Sequence, residues 1–302
     1  MTELIDIKKL DISFENTNGL VRAVKDVAIK IYPNKVTTII GESGSGKSVL
    51  AMGILGLLPK YTKIDEEIYI GDRTIKSLRK TNGFYGSYFG LIPQSPGQVL
   101  SPSLKIIRQF EDTVKKQTYR DLALNILKDF DFKDPERVLS SYPYQLSGGM
   151  AQRVVSAISL SSQPKWLIAD EPTKGLDKET LRATYDLYLK IKENFSSMLI
   201  ITHDIDFARI ISDEIIVMYD GQVIEQGQGL LEEPYHPYTQ GFLLSLPENG
   251  FQPMEGIAPG PYDQIKGCSF YNRCPKKLDT CKNKMPELYT SKGRKVKCFL
   301  YA

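Results

Sequence analysis

The apolar positions of this sequence predict strands of two kinds. Apolar and polar residues alternate over Ile5–Phe14 and Ala28–Ile31, which predicts half-buried strands. Unbroken apolar or β-branched runs predict strands that are covered on both faces of a sheet. These runs are Val36–Ile40, Trp166–Ala169, Met198–Thr202 and Ile215–Met218. A helix-compatible segment, Lys178–Phe195, separates two of them, so we expect parallel βαβ units.

The middle of the chain has helical periodicity, most clearly over Arg120–Phe130 and Met150–Leu160. We interpret the sequence from about Leu104 to Ser162 as a largely helical insertion. After Gly229 no strong period remains, and proline, glycine and lysine become more frequent. The pattern therefore predicts an α/β domain over residues 1–228, with a helical subdomain at about 92–163. A small irregular C-terminal extension over residues 229–302 would follow it.

A glycine-rich loop, GESGSGKS at residues 41–48, joins the buried strand Val36–Ile40 to a predicted helix that ends near Leu58. Its glycines let backbone N–H groups approach phosphate oxygens in front of a helix N-terminus. The cradle consists of Gly41, Ser43, Gly44, Ser45 and Gly46. Lys47 can reach the β- and γ-phosphates, and Ser48 can ligate Mg²⁺. A chance match in a serine–glycine linker is the alternative, which the flanking strand and helix disfavour.

Candidate catalytic residues follow two other predicted strands. Asp170 and Glu171 end the run that starts at Trp166. Behind a phosphate-binding loop, Asp170 is expected near the metal ion, and Glu171 is expected to orient or deprotonate water. His203 follows the run Met198–Thr202, at the sheet edge where ligands bind, and is predicted to contact the γ-phosphate. The other histidine, His236, is predicted to have a packing role.

A second glycine-rich helix start occurs at Ser147, Gly148 and Gly149. A plain N-cap would explain the serine but does not require both glycines, so we predict a second anion-binding helix start. One chain would then present two surfaces for the γ-phosphate that lie far apart in its sequence. This arrangement is expected if two chains share each ATP.

Six motifs in this order make the chain similar, over nearly its whole length, to the ATPase subunit of ATP-binding-cassette (ABC) transporters. They are Walker A (41–48), the Q-loop with Gln94, the signature LSGGM (146–150), Walker B (166–171), the D-loop with Asp177, and the switch histidine His203. The resemblance implies a P-loop NTPase (RecA-like) fold, ATP and Mg²⁺. It further implies that Phe14 stacks on adenine and that Gln94 contacts the metal ion or the water. Lys174 and Gly175 depart from the usual Ser-Ala of the D-loop.

The segments 234–247 and 267–275 resemble the extension of the oligopeptide, dipeptide and nickel uptake ATPases. That resemblance implies ATP-driven import at the cytoplasmic face of the membrane, with peptide, nickel and metal–chelate cargo all open. The expected partners are two permeases, a second and often non-identical ATPase, and an extracytoplasmic solute-binding protein. The rival class is a soluble ABC ATPase that acts on nucleic acid or ribosomes. Its only support is a basic C-terminal region without interleaved aromatic residues, so no nucleic-acid partner is predicted.

Composition changes this picture only in the C-terminal region. The 302 residues are 41% hydrophobic and 25% charged, with a net charge of +3, and the N-terminal pattern predicts no secretory signal. Residues 264–302 have ten Lys and Arg against two acidic residues, a net charge of +8. The same region contains Cys268, Cys274, Cys281 and Cys298. Such clustering in a cytosolic protein favours metal or cluster binding, with a 4Fe–4S cluster favoured over zinc, and four unligated thiols are the alternative.

Overall fold

The computed structural model describes residues 2–95, 99–114, 118–195 and 197–302. Its strands are β1 (Ile5–Asn16), β2 (Gly19–Val24), β3 (Ile29–Ile31), β4 (Val36–Ile40), β5 (Thr62–Ile70), β6 (Arg73–Thr74), β7 (Phe89–Ile92), β8 (Trp166–Asp170), β9 (Met198–Ile201), β10 (Glu214–Tyr219), β11 (Gln222–Gly227), β12 (Tyr289–Ser291) and β13 (Arg294–Val296). Its α-helices are α1 (Lys47–Leu55), α2 (Ile75–Leu78), α3 (Ile106–Val114), α4 (Tyr119–Asp129), α5 (Pro135–Ser140), α6 (Gly148–Ser161), α7 (Lys178–Asn194), α8 (Ile205–Ile211), α9 (Pro237–Leu244) and α10 (Thr280–Asn283). In the part of the chain that the structure describes, no helix is long and apolar enough to cross a membrane.

The strands form two sheets. In the smaller, antiparallel sheet, β1 pairs with β2, β3 and β5, and β6 pairs with β5. The larger sheet has the order β12-β13-β11-β10-β4-β9-β8-β7. Its strands from β10 to β7 are parallel to one another, whereas β11, β13 and β12 pair in antiparallel fashion. The predicted α/β fold with parallel βαβ units is therefore confirmed.

The parallel strands are buried on both faces, which explains their unbroken apolar runs. In β8, Trp166 and Ile168 belong to a hydrophobic cluster with β1 and α1. The intervening residues, Leu167 and Ala169, belong to a second cluster with the helices α3 to α7. Because successive side chains of a strand point to opposite faces, both faces need apolar residues. The helical segment therefore covers one face of the large sheet, and α1 covers the other.

Helix α1 packs between the two sheets. Leu50, Ala51 and Ile54 are buried in the first cluster. Gly53 permits a close approach to β1, since a Cβ at that position would lie 2.5 Å from Ile12 Cδ1. The helix ends at Leu55, earlier than the apolar pattern predicts, because Gly56 adopts a left-handed conformation with φ of 71°. This packing fixes the helix start, and with it the glycine-rich loop, relative to β4.

The C-terminal extension contains more regular structure than its sequence pattern predicts. Helix α9 joins a third hydrophobic cluster with residues of β10 and β11. Strands β12 and β13 form a hairpin, and β13 pairs with β11 through Glu225 and Val296. These strands have three residues each and are largely polar, so they leave no alternating pattern to detect. Residues of the predicted extension thus continue the large sheet and pack against β10 and β11.

Candidate nucleotide-binding site

Four adjacent parallel strands bring the predicted catalytic residues to one edge of the large sheet. Strand β4 runs into the Walker A loop at Gly41, and β8 ends at Asp170 with Glu171 directly after it. His203 follows β9, and the exposed Gln94 follows β7. The strand order β4-β9-β8-β7 places these four carboxyl ends side by side. The sheet therefore gathers residues that are far apart in the sequence, at the edge where such sheets bind ligands.

The Walker A loop has glycines where its neighbours leave no space for a side chain. A Cβ on Gly41 would lie 2.2 Å from the Met218 carbonyl oxygen, and one on Gly46 would lie 2.3 Å from the Ala23 carbonyl oxygen. Gly44 has open space around it but a left-handed φ of 80°, which also favours glycine. Ser45 is buried, whereas Ser43 and Gly44 are exposed at the outer turn of the loop. The exposed turn is the part that a phosphate can reach.

Lys47 is buried beneath this loop, with 6% of its surface exposed. Its Nζ donates hydrogen bonds of 2.9 Å to the backbone carbonyls of Gly41 and Glu42. Burial lowers the pKa of Lys47, and the carboxylates of Glu171 and Asp170 oppose that shift. The ammonium group is thus held by the loop that it serves, and it can donate to a phosphate bound there.

The start of α1 adds partial positive charge to the same place. Gly46 occupies the N-cap position, and a glycine has no side chain with which to cap the first turn. Backbone N–H groups of an uncapped first turn attract anions, assisted by the helix dipole. Together with Lys47, this helix start forms a site suited to phosphate.

Oxygen ligands suitable for Mg²⁺ lie next to this site. Ser48 Oγ donates a hydrogen bond of 2.9 Å to Asp170 Oδ1. Burial raises the pKa of Asp170, and the Ser48 hydrogen bond partly offsets the shift. Mg²⁺ prefers hydroxyl and carboxylate oxygens, so the chemistry of this pair fits the predicted ion.

Glu171 and His203 contact each other directly. The Nδ1 atom of His203 lies 2.6 Å from Glu171 Oε2, and the backbone N–H of His203 donates to the same oxygen at 3.3 Å. An ionised carboxylate oxygen only accepts, so this contact requires the imidazole proton on Nδ1. Glu171 has a left-handed φ of 51°, which is a strained conformation for a side-chain-bearing residue. Such strain concentrates at functional sites, and here it turns the carboxylate towards the β9 end.

Asp204 and Tyr185 fix the segment that contains His203, and the sequence analysis did not identify them. Asp204 caps α8 by accepting from the Phe207 N–H at 3.0 Å. The hydroxyl of Tyr185, in α7, donates to the other Asp204 oxygen at 2.7 Å. An aspartate directly before an apolar run is a recognisable N-cap signal, but the Tyr185 contact requires the folded chain.

Phe14 lies in β1, partly buried and opposite Val21 and Thr62 of the neighbouring strands. It packs against the first hydrophobic cluster, which also contains α1. Phe14 thus lies on the antiparallel sheet, in the strand that α1 approaches through Gly53 and Ile12. Adenine stacking by Phe14 stays a prediction.

The second predicted helix start is exposed and capped by its own side chain. Ser147 Oγ accepts from the Met150 N–H at 3.3 Å. A Cβ on Gly149 would lie 2.6 Å from Thr180 Cγ2 in α7, whereas Gly148 has open space around it. Asp177 caps α7 and accepts a 2.8 Å hydrogen bond from the Thr180 hydroxyl. Packing within the chain therefore accounts for Gly149 and Asp177 but gives no reason for Gly148.

The four cysteines lie near one another in the extension. The Cys268 N–H donates to the Cys281 carbonyl at 2.8 Å, and burial raises the pKa of the Cys268 thiol to about 11. Burial also raises the pKa of Cys274 and of Cys298. Among residues 2–95, 99–114, 118–195 and 197–302, no three His, Cys, Asp or Glu side chains are arranged to hold a metal ion. As placed, these thiols do not fit a metal centre.

Comparison with known families agrees with this geometry. Residues 24–174 match the family model described as ABC transporter. The chain belongs to the ABC transporter family. As a member of that family it is an ATPase. Residues 224–281 match a second family model, described as the C-terminal region of oligopeptide/dipeptide transporters, and this match covers most of the C-terminal extension.

Relatives of the ABC transporter family match nearly the whole chain. It is 36% identical to the dipeptide transport ATP-binding protein DppD of Haemophilus influenzae, over 98% of this chain and 94% of the relative. It is also 36% identical to the oligopeptide transport ATP-binding protein AppD of Bacillus subtilis, over 100% and 98% of the two chains.

Solved structures of ABC proteins share the fold. The ATP-binding cassette MJ0796, in a dimeric post-hydrolysis state with ADP and Pi, covers 74% of this chain with a TM-score of 0.63 and 28% identity. The match includes 98% of that cassette. The cbiO1 subunit of the Clostridium perfringens transporter complex cbiONQ covers 76% of this chain and 90% of its own, with a TM-score of 0.62 and 27% identity.

Proposed function

We propose that this chain hydrolyses ATP to power the import of peptides across the cytoplasmic membrane. The observation that carries the proposal is that one edge of the large sheet gathers the candidate catalytic residues in a chain with a C-terminal region of the oligopeptide/dipeptide transporter type. Relatives of nearly full length are named for dipeptide and oligopeptide transport. Nickel and metal–chelate cargo have no comparable support among these relatives.

ATP binding would use the Walker A loop and Phe14. The triphosphate would lie against the exposed turn of the loop, with donors from Lys47 and from the start of α1, while Phe14 stacks on the adenine. Ser48, Asp170 and Gln94 would hold Mg²⁺, which when bound neutralises phosphate charge. Ser48 and Asp170 support this assignment because their side chains already lie 2.9 Å apart, directly beside Lys47 at the start of α1.

Hydrolysis would use Glu171, His203 and a second ATPase subunit. Glu171 would orient the attacking water and accept its proton, and His203 would contact the γ-phosphate from β9. The Ser147–Gly149 segment of the second subunit would close over the γ-phosphate and exclude water, with Asp177 beside the closing surface. The exposure of Ser147 and Gly148 supports this closure, since an exposed anion-binding surface is suited to a site in trans.

The proposed assembly has two permeases, two ATPases and an extracytoplasmic solute-binding protein, with this chain at the cytoplasmic face. It is tested by purifying the tagged chain from detergent-solubilised host membranes and identifying its companions by mass spectrometry. Two polytopic permeases and a sibling ATPase are the expected result. Recovery only from the soluble fraction with ribosomes or nucleic acid would contradict transport and support the rival class.

Uptake of a labelled dipeptide tests the cargo. In cells whose own copy is deleted, the wild-type chain should restore uptake and the Glu171→Gln variant should not. Restored uptake of Ni²⁺ but not of dipeptide would contradict the peptide assignment.

A metal centre at the four cysteines is a separate prediction. Their clustering in one basic region supports a 4Fe–4S cluster or zinc. The raised pKa values of Cys268, Cys274 and Cys298, and the placement of the four thiols, oppose it. Iron, sulfide and zinc analysis of anaerobically purified protein separates the alternatives. About four irons and four sulfides per chain would establish the cluster, and absence of all three would leave free thiols.

A further inference from the structure

Glu42, the second residue of the Walker A loop, has every one of its polar groups engaged. Its backbone carbonyl accepts from Lys47 Nζ at 2.9 Å and from the Ser45 N–H at 3.2 Å. Its backbone N–H donates to the Tyr238 hydroxyl at 2.9 Å, and its carboxylate accepts two hydrogen bonds from Arg273. The first two contacts lie within the loop, and the other two come from the C-terminal extension.

The contact with Arg273 has bidentate geometry. Nη1 of Arg273 lies 2.9 Å from Glu42 Oε2, and Nη2 lies 3.0 Å from Oε1. Paired donors of this kind fix the orientation of a carboxylate as well as its position. Only 9% of the Arg273 side chain is exposed, against 30% of the Glu42 side chain. The ion pair is therefore largely screened from water, which strengthens it.

Aromatic packing holds Arg273 and Tyr238 at the loop. The guanidinium lies over the rings of Tyr219 and Phe270, at 5.7 and 5.9 Å from their centroids. The ring centroids of Tyr219 and Tyr238 are 4.5 Å apart, and those of Tyr238 and Phe270 are 5.5 Å apart. Tyr219 ends β10, so this cluster joins the extension to the parallel sheet directly beside the Walker A loop.

We propose that the C-terminal extension holds the Walker A loop in its phosphate-binding conformation, with Arg273 and Tyr238 as positioning residues that act through Glu42. The two contacts fix Glu42 at its side chain and at its backbone N–H. They thereby fix the direction of its carbonyl, which accepts from Lys47 Nζ. The extension thus acts on the nucleotide site from outside it, and this inference rests on the function proposed above for the Walker A loop.

The physical basis is preorganisation. A loop that is free to change its backbone conformation must be ordered when phosphate binds, and the cost of that ordering weakens binding. An ion pair that orders the loop beforehand removes part of the cost. Loss of Arg273 is therefore expected to weaken nucleotide binding, although Arg273 itself touches no phosphate.

The test is calorimetric titration of the full-length chain with MgADP, which is not consumed. Arg273→Met, which retains the apolar stem, should weaken binding by about tenfold, a modest fraction of the strength of a charged hydrogen-bonded pair. Arg273→Lys should restore binding partly, because it returns the charge but not the paired donors. In ATPase assays Arg273→Met should raise KM more than it lowers kcat, as expected for a loss of binding.

Arg294→Met is the matched control. Arg294 is also a largely buried arginine of the extension, with 15% of its side chain exposed, and it pairs with Glu233 and lies over the Tyr235 ring. Its loss should lower the unfolding midpoint without weakening MgADP binding. The double variant Glu42→Gln/Arg273→Met should bind about as weakly as either single variant, because both remove the same ion pair.

Wild-type affinity in Arg273→Met would overturn the inference, and so would equal weakening in Arg294→Met or additive effects in the double variant. Should Arg273→Met fail to fold, Tyr238→Phe and Arg273→Lys answer the same question. Lys47→Ala separates this inference from the function on which it rests. If Lys47→Ala abolishes binding and Arg273→Met leaves it intact, only the role of the extension is lost.

Discussion

Helices α1 and α6 both begin in a serine- and glycine-containing turn, but the two starts are built differently. Gly46 occupies the N-cap position of α1 and has no side chain that could cap it, and Lys47 is buried beneath the loop. Ser147 caps α6 through its own hydroxyl, and both Ser147 and Gly148 are exposed. The first start is enclosed by its own chain, whereas the second is an open surface.

This difference assigns the two helix starts different functions toward the same nucleotide, one in binding and the other in hydrolysis. An uncapped and enclosed helix start can bind phosphate with groups from its own chain alone. At an exposed helix N-terminus whose own serine caps one N–H group, water competes with phosphate for the remaining N–H groups. Such a helix start binds phosphate strongly only when a second surface covers it and excludes water. We therefore expect α1 to govern binding by the isolated chain and α6 to govern hydrolysis in the assembled pair.

The largest expected effect is on hydrolysis. Glu171→Gln removes the group proposed to accept the proton of water, so turnover should fall by about 10²- to 10⁴-fold. MgATP binding should persist, since the phosphate donors of α1 are unchanged. Phosphate release by the purified complex measures turnover, and calorimetry measures binding. Asp206→Asn, at an exposed carboxylate in α8, is the control, and wild-type hydrolysis in Glu171→Gln would refute the assignment.

Next in size is the loss of binding in Lys47→Met. This change keeps the apolar stem and removes the ammonium donor, so MgADP affinity should fall by roughly 100-fold, the effect of one or two charged hydrogen bonds. Ser147→Ala should leave the same affinity unchanged. If both variants bound equally weakly, the proposed division between the two helix starts would be wrong.

The candidate catalytic residues could be predicted from the sequence because they directly follow the apolar runs that form the parallel strands. Ile40 precedes Gly41, Ala169 precedes Asp170, and Thr202 precedes His203. Parallel strands bring such ends together whatever their order. The contact between Glu171 and His203 could not be predicted, since it depends on the adjacency of β8 and β9 and on a left-handed backbone at Glu171.

The docking of the extension could not be predicted from sequence patterns either. Arg273 and Glu42 are 231 positions apart, and neither is marked by local periodicity. Strand β13 pairs with β11 over a stretch too short and polar to give a signal. Long-range contacts of charged residues leave no trace in a single sequence, whereas local capping signals such as Asp204 do.

The start of α9 is a third kind of helix start, and its cap predicts how the stability of the protein depends on pH. His236 caps α9, with its Nδ1 accepting from the Tyr238 N–H at 3.0 Å, and burial lowers the pKa of His236 to about 3. Below pH 6.5 the unfolded chain binds a proton that the folded chain does not. The free energy of unfolding should therefore fall by about 2 kcal/mol as the pH is lowered from 7 to 5. Above the pKa of the histidine in the unfolded chain, this contribution to stability is fully present.

Urea unfolding of the wild type and of His236→Gln at the two pH values measures this loss. The buried Glu225 has a raised pKa, caused by desolvation, and contributes the opposite slope. The difference between the two proteins isolates the histidine, since Glu225 is common to both. Equal pH slopes would show that the buried histidine does not titrate as expected.

The smallest change in stability belongs to Gly148→Ala, and it gives the sharpest test of the α6 start. Nothing lies within 4 Å of a Cβ at Gly148, so the isolated chain should tolerate the methyl group, with its stability within about 0.5 kcal/mol of wild type. MgADP binding by the isolated chain should also be unchanged. Gly149→Ala is the contrasting variant, because its methyl group would collide with Thr180 inside the chain and should lower stability.

If a second subunit closes on this surface, the methyl group of Gly148→Ala should still impair hydrolysis by the assembled complex. An effect on turnover without one on folding or binding can come only from a surface that the isolated chain leaves open. Unimpaired turnover in Gly148→Ala would mean that the start of α6 is an ordinary capped helix end. The two phosphate-binding surfaces would then reduce to one.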